Sequence, residues 1–211
     1  MAVLRRFLPK TYDQMDQYAL DWDAANSRAA LQSGPLWVVL GDSAAQGVGC
    51  PSYDTGYVGQ VLEVLRVTSG RRWRVLNLSR SGAKTLDVAR DQCPRLHEVP
   101  AELVTAIVGG NDIVWTPLDQ WRKDLDLLYE RLPAGSVVGT TTRGLRKDKC
   151  VKVNEHVYEV ANDRNLKVAD LWNHTGPPYQ GLFFDGFHPN ERGYAKWADA
   201  LLEALGLPVT S

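Results

Sequence analysis

The chain has 211 residues, 44% hydrophobic and 23% charged, the balance of a single soluble domain with a sizeable core. Lys plus Arg number 24 against 25 Asp plus Glu, a net charge of -1, so no strong field draws in nucleic acid or an anionic membrane. Cys50, Cys93 and Cys150 are odd in number and widely spaced. That argues against a disulfide framework and a paired-cysteine metal site, and for reduced thiols in a cytoplasmic protein.

Arg5 and Arg6 open the amino terminus, but acidic and polar residues from Asp13 onward follow too soon for a signal-peptide core. No stretch approaches the apolar run of a membrane helix, and export would need a leader outside this sequence. From Tyr12 to Leu31, Met15, Ala19, Trp22, Ala25 and Ala29 recur at helical spacing until Ser33, Gly34 and Pro35 end the pattern. This predicts a helical extension over residues 1–34, packed outside the main fold on a core domain spanning 35–211. The extension shields a sheet face or offers a partner surface.

Leu36 to Leu40 is a short apolar run between Gly34 and Gly41, as expected of a buried strand. Strand-like segments recur at Trp73–Leu78, Leu103–Val108, Ser136–Thr140 and Leu166–Ala169, with helical patterns between them. Leu118, Trp121, Leu125, Leu128 and Leu132 mark one helix, and Tyr194, Trp197, Ala198, Leu201 and Leu205 mark the last. Parallel strands need helix-sized crossovers, so strict alternation predicts a three-layer α/β/α fold with about five parallel strands.

Ligands of such sheets bind beyond the carboxyl ends of the strands. There the sequence collects Gly41-Asp42-Ser43, then Asn77-Leu78-Ser79-Arg80-Ser81-Gly82, then Gly109-Gly110-Asn111-Asp112, and before the last helix Asp185-Gly186-Phe187-His188-Pro189-Asn190. A serine hydroxyl is a weak nucleophile at neutral pH and needs a base, which needs a partner to fix its tautomer. Ser43, His188 and Asp185 supply these roles. An oxyanion needs donors where charge develops, and the Ser43 N–H, the Gly82 N–H and the Asn111 side-chain amide are the candidates.

These four blocks, in order from Gly41 to Pro189, resemble those of the SGNH, or GDSL, hydrolase family. The resemblance implies a flavodoxin-like fold and hydrolysis of esters or thioesters. It places Ser43, Gly82, Asn111 and His188 in the catalytic centre, with Asp185 supporting the histidine, and implies no metal or organic cofactor. Ala44 departs from the leucine of the family's name without touching the reacting atoms. The expected function is that of a serine esterase acting on a small-molecule ester, with short acyl or acetyl groups preferred. The same centre also serves a lysophospholipase, a thioesterase or an acyltransferase, and a retained pocket without turnover is the alternative from another class.

Several residues keep two readings. Asn111 caps the segment after its strand or serves the oxyanion. Asp42 and Asp112 read as bracing carboxylates, and Asn190 as the cap of the last helix. Trp115, Phe184 and Phe187 line a substrate pocket or belong to the core. Arg143, Arg146 and Lys147 form a solvated basic loop or steer an anionic substrate. His97, His156 and His174 stand apart and form no His-Glu-Xaa-Xaa-His zinc pattern. Gly47-Val48-Gly49 is a weak match to a dinucleotide-binding turn, with no glycine at position 52.

Overall fold

A computed structural model describes residues 8–209; Arg5 and Arg6 lie outside the described residues. Five parallel strands form one sheet in the order β2-β1-β3-β4-β5. They are β1 (Leu36–Gly41), β2 (Arg74–Asn77), β3 (Leu103–Ile107), β4 (Val137–Gly139) and β5 (Lys167–Ala169). This is the flavodoxin-like order, whose chain reverses direction across the sheet between β1 and β3 and opens a crevice at their carboxyl ends.

Successive strand residues point to opposite faces, and β1 is buried throughout. Val38 and Leu40 pack on one side with Trp121, Leu125 and Leu128 of helix α3 (Leu118–Glu130) and Val153 and Val157 of α4 (Lys147–Asp163). Trp37 and Val39 pack on the other with Val58, Val61 and Leu65 of α2 (Tyr57–Ser69) and Tyr194, Leu201 and Leu202 of α5 (Glu191–Leu205). The chain is thus a three-layer α/β/α sandwich. The crossover from β2 to β3 is broken into short helical turns over Thr85–Asp87, Val88–Gln92 and Cys93–Glu98.

Helix α1 (Pro9–Ala30) begins three residues before its apolar pattern. Proline suits the first helical turn, where its missing N–H costs nothing. Its buried face carries Tyr18, Trp22 and Ala29, and Trp22 joins the second apolar layer. Helix α1 also closes a sheet edge: Asn26 Nδ2 donates to the Asn77 carbonyl and Asn26 Oδ1 accepts the Asn77 N–H, both at 2.8 Å. An amide side chain thereby occupies the open hydrogen-bonding positions that an edge strand must protect. Among the described residues no helix is long and apolar enough to cross a membrane.

Candidate active site

Strand β1 delivers Ser43 two residues past its last residue, and the turn before α5 delivers Asp185 and His188. Ser43 Oγ lies 3.0 Å from His188 Nε2, and His188 Nδ1 lies 2.8 Å from Asp185 Oδ2. The three groups are buried: Ser43 is 3% exposed and the Asp185 side chain 5%. With its proton on Nδ1, the imidazole donates to the carboxylate and presents Nε2 as an acceptor to the serine.

The carboxylate is held by more than the ring. Asp185 Oδ1 accepts the backbone N–H groups of His188 at 2.7 Å and Phe187 at 3.0 Å. Oδ2 also accepts the hydroxyl of Thr11 at 2.8 Å. Burial works against its charge, but the hydrogen bond and charge of His188 and the two N–H donors outweigh it and hold the carboxyl well below the usual range. The Asp42 carboxyl has no such company. Burial pushes it up to about 6, against the hydrogen bond that Ala44 N–H donates to it.

Close approach brings the serine and histidine segments together. Gly49 has φ +103, and a Cβ there would stand 2.2 Å from the Pro189 carbonyl oxygen, so only glycine lets the Ser43 loop press against the His188 turn. That is the work of Gly47-Val48-Gly49 in this fold. Tyr194 Oη donates to the Val48 carbonyl at 2.8 Å, tying the same loop to α5.

The oxyanion candidates lie on the adjoining segments. Gly82 has φ +83 and is open on the side where a Cβ would project, a conformation that favours glycine. Among the described residues neither the Ser43 nor the Gly82 N–H has a protein acceptor. Asn111 sits in the short helix Gly110–Trp115, whose amino end receives no side-chain cap, and its Nδ2 donates to the Ala83 carbonyl at 2.9 Å. One amide hydrogen therefore ties the β3 end to the Gly82 segment, and the second is not engaged by that bond.

Asp112 braces this region. Its carboxylate accepts the Thr85 N–H and hydroxyl at 2.9 Å each and the Thr116 hydroxyl at 2.6 Å. Asn190 Oδ1 accepts the Gly193 N–H at 3.1 Å and caps α5.

Above Ser43 and His188 opens a cavity of about 340 Å³, walled by Ile113, Leu145, Tyr179, Phe183, Phe187 and Trp197. Arg143 also lines it, with its guanidinium held by Asn173 Oδ1 at 2.9 Å and stacked 5.4 Å from the Trp172 ring centre. Trp115, which is 68% exposed, and Phe184 do not line the cavity, nor do Arg146 and Lys147. His156 pairs with Asp126 and His174 with Glu203, away from this centre. Among the described residues no group of three or more His, Cys, Asp or Glu side chains is placed to hold a metal ion.

Two groups at the site carried no readable signal in the sequence. Gln46, 3% exposed, reaches from the Ser43 loop to the Gly82 segment. Its Oε1 accepts the Ser81 N–H at 3.0 Å and the Ser81 hydroxyl at 2.5 Å, and its Nε2 donates to the Ser79 carbonyl. Thr11 lies just before the first residue of the predicted helical pattern. Neither residue belongs to a motif block, and a polar side chain declares its buried partner only once the fold is known.

A serine hydroxyl, an imidazole and a carboxylate stand in one hydrogen-bonded line at the crevice between β1 and β3, an arrangement that can support acyl transfer. The chain belongs to the GDSL-like lipase/acylhydrolase family, whose model matches residues 39–196, and it is an esterase-type hydrolase. None of the curated proteins matches it closely enough in sequence to count as a relative. The fold is shared with solved structures. A lipase/acylhydrolase from Enterococcus faecalis is 18% identical with a TM-score of 0.68, over 84% of this chain and 99% of that one. An acetylxylan esterase from Geobacillus stearothermophilus is 20% identical with a TM-score of 0.67, over 85% and 97%. A lipase from a goat rumen metagenome is 16% identical with a TM-score of 0.69, over 81% and 97%.

Proposed function

We propose that the chain is a serine esterase that hydrolyses short-chain acyl or acetyl esters of small molecules through an acyl-Ser43 intermediate. Ser43 Oγ attacks the acyl carbonyl carbon while its proton passes to His188 Nε2, and Asp185 holds the ring and balances the imidazolium. The oxyanion faces the Ser43 and Gly82 N–H groups and the Asn111 amide. Collapse breaks the ester C–O bond, and the leaving alkoxide takes the proton from Nε2. Water then attacks the acyl-enzyme with His188 as base, releasing the carboxylic acid and restoring the serine.

The observation that carries this reading is the buried line from Ser43 Oγ through the His188 ring to Asp185, at 3.0 and 2.8 Å, at the base of an apolar cavity. The preference for short acyl groups rests on size, because about 340 Å³ is at the low end for ligand pockets. The three free, buried thiols accord with a reducing, cytoplasmic setting.

A panel of esters from acetyl to palmitoyl, run with wild type, Ser43→Ala and His188→Ala, tests the proposal. Mass spectrometry after a serine-directed phosphonate completes it. Turnover highest on short chains, lost in both variants and accompanied by an adduct on Ser43 is expected. Undiminished turnover in Ser43→Ala would falsify the mechanism.

A further inference from the structure

Helix α1 lies before the segment matched by the family model, yet it touches both halves of the active centre. Along one face it holds the Ser43 loop. Gln14 Oε1 accepts the Gly49 N–H and Gln14 Nε2 donates to the Cys50 carbonyl, both at 2.9 Å. Tyr18 Oη donates to the Cys50 carbonyl at 2.8 Å, and Trp22 Nε1 to the Gln46 carbonyl at 3.1 Å. At its first turn it reaches the other half, where Thr11, 2% exposed, donates its hydroxyl to Asp185 Oδ2 at 2.8 Å.

We propose that Thr11 is a positioning residue of the hydrolytic centre, fixing the carboxylate oxygen that receives the His188 ring and so holding Nε2 in line with Ser43. This rests on the reading of Ser43, His188 and Asp185 given above. The two oxygens of Asp185 differ in how they are constrained. Oδ1 is pinned by two backbone N–H groups of its own turn, which fix one end of the carboxylate but leave rotation about that end. Oδ2 carries the ring, and the donor that holds it from outside the turn is Thr11. A hydrogen bond donated to an ionised oxygen is stronger than one to a neutral carboxyl, so the contact also favours the ionised carboxylate that an imidazolium needs opposite it.

The first turn of a helix is also its positive end, and α1 has no acidic residue of its own there. Asp185 therefore supplies the negative charge that this end favours, and hydroxyl and helix end act on the carboxylate in the same sense. Since Gln14, Tyr18 and Trp22 anchor the same helix to the Ser43 loop, the nucleophile and the acid are registered against one rigid element. A misplacement of about 1 Å at such a centre costs on the order of a hundredfold in rate.

The test separates the hydroxyl from the shape of the side chain. Thr11→Val keeps the β-branched form and loses the donor; Thr11→Ser keeps the donor and loses the methyl group. Steady-state kinetics on a short-chain acyl ester are expected to show kcat down about tenfold in Thr11→Val with KM within about twofold, and most of it recovered in Thr11→Ser. A packing role reverses that order, since the serine would then be the poorer enzyme.

Thr11→Cys paired with Thr11→Ser asks the same question without an added methyl group in a polar pocket, because a thiol is a weak donor. Equal kcat in those two, or wild-type kcat in Thr11→Val, overturns the proposal. Ser43→Ala run alongside keeps the two failures distinct: activity surviving there sinks the nucleophile assignment, whereas its loss with an unaffected Thr11→Val sinks only the role of Thr11.

Discussion

Replacing Asp185 by asparagine is a near-isosteric change whose consequence follows from counting donors. The carboxylate accepts four hydrogen bonds, from the N–H groups of His188 and Phe187 at Oδ1 and from Thr11 and His188 Nδ1 at Oδ2. Asparagine turns one of those oxygens into an NH₂, which cannot accept. The two backbone donors belong to the turn and cannot rotate away, so the amide oxygen takes the Oδ1 place and the NH₂ faces Thr11 and the ring. Thr11 can turn its hydroxyl to accept. His188 can accept at Nδ1 only by carrying its proton on Nε2, and that tautomer cannot take the proton of Ser43.

The expected result is kcat lower by roughly a thousandfold to ten-thousandfold, about 4 to 5.5 kcal/mol of transition-state stabilisation, with KM little changed. Steady-state kinetics on a short-chain ester measure it, with circular dichroism to verify the fold. A variant within about tenfold of wild-type kcat would refute both the tautomer argument and the role of Asp185. Stability supplies a second reading. Because the folded-state carboxyl is depressed, its ionised form stabilises the fold above the unfolded value of about 3.9, and that contribution is lost as the pH falls below it. The Tm gap between wild type and Asp185→Asn is therefore widest near neutrality and closes on acidification.

Asn111→Ala removes the amide that ties the β3 end to Ala83, and kcat is expected to fall about a hundredfold if its second hydrogen serves the oxyanion; unchanged kcat with a lower Tm would reduce it to a brace. Arg143→Ala withdraws the basic side chain that lines the cavity and should raise KM for esters carrying a negative charge while sparing neutral ones, and an equal loss on both sinks the steering reading. Asp42→Asn tests a buried charge. Its carboxyl titrates at about 6 because of burial, so its contribution to stability is present below the unfolded value of about 3.9 and is lost as the pH rises through about 6. Asparagine keeps an oxygen for the Ala44 N–H, so thermal melts should show the variant gaining on wild type from about pH 4 to about pH 6, with the difference levelling off above that; a constant difference from about pH 4 to about pH 6 would contradict the burial argument.

The parts of the molecule legible in the sequence are those that repeat a period or obey a positional rule. Buried parallel strands appear as short apolar runs, and Leu36 to Leu40 lies within β1. An open parallel sheet gathers its chemistry at one edge, so the residues after β1 and β3 and before α5 stood out together, and the structure brings Ser43, His188 and Asp185 into contact. Strand order was not legible from periodicity, because alternation of strands and helices does not fix which neighbour each strand takes. The observed order, β2-β1-β3-β4-β5, is that of the flavodoxin-like fold which the family resemblance implies. Aromatic residues near a motif are a coarse guide: Phe187, inside its block, lines the cavity, whereas Phe184 and Trp115, just outside theirs, do not.

What the sequence concealed is the set of polar side chains that reach from one segment to another. Gln46, Asn26, Gln14 and Thr11 each sit in ordinary helical or loop surroundings, and their partners lie 35, 51, 35 and 174 positions away. Each is buried or half-buried and serves an otherwise open backbone group or, for Thr11, a carboxylate. Burying such a group costs free energy unless the partner is in place, so these contacts exist only because the apolar layers first bring the segments together. Trp22 and Tyr18 set α1 against the sheet by burial, and that docking carries Thr11 to Asp185. The helix that covers the sheet edge through Asn26 is therefore also joined, through Thr11 and Gln14, to the Asp185 turn and the Ser43 loop. A substitution that loosens Trp22 is expected to act on Asp185 as well as on stability.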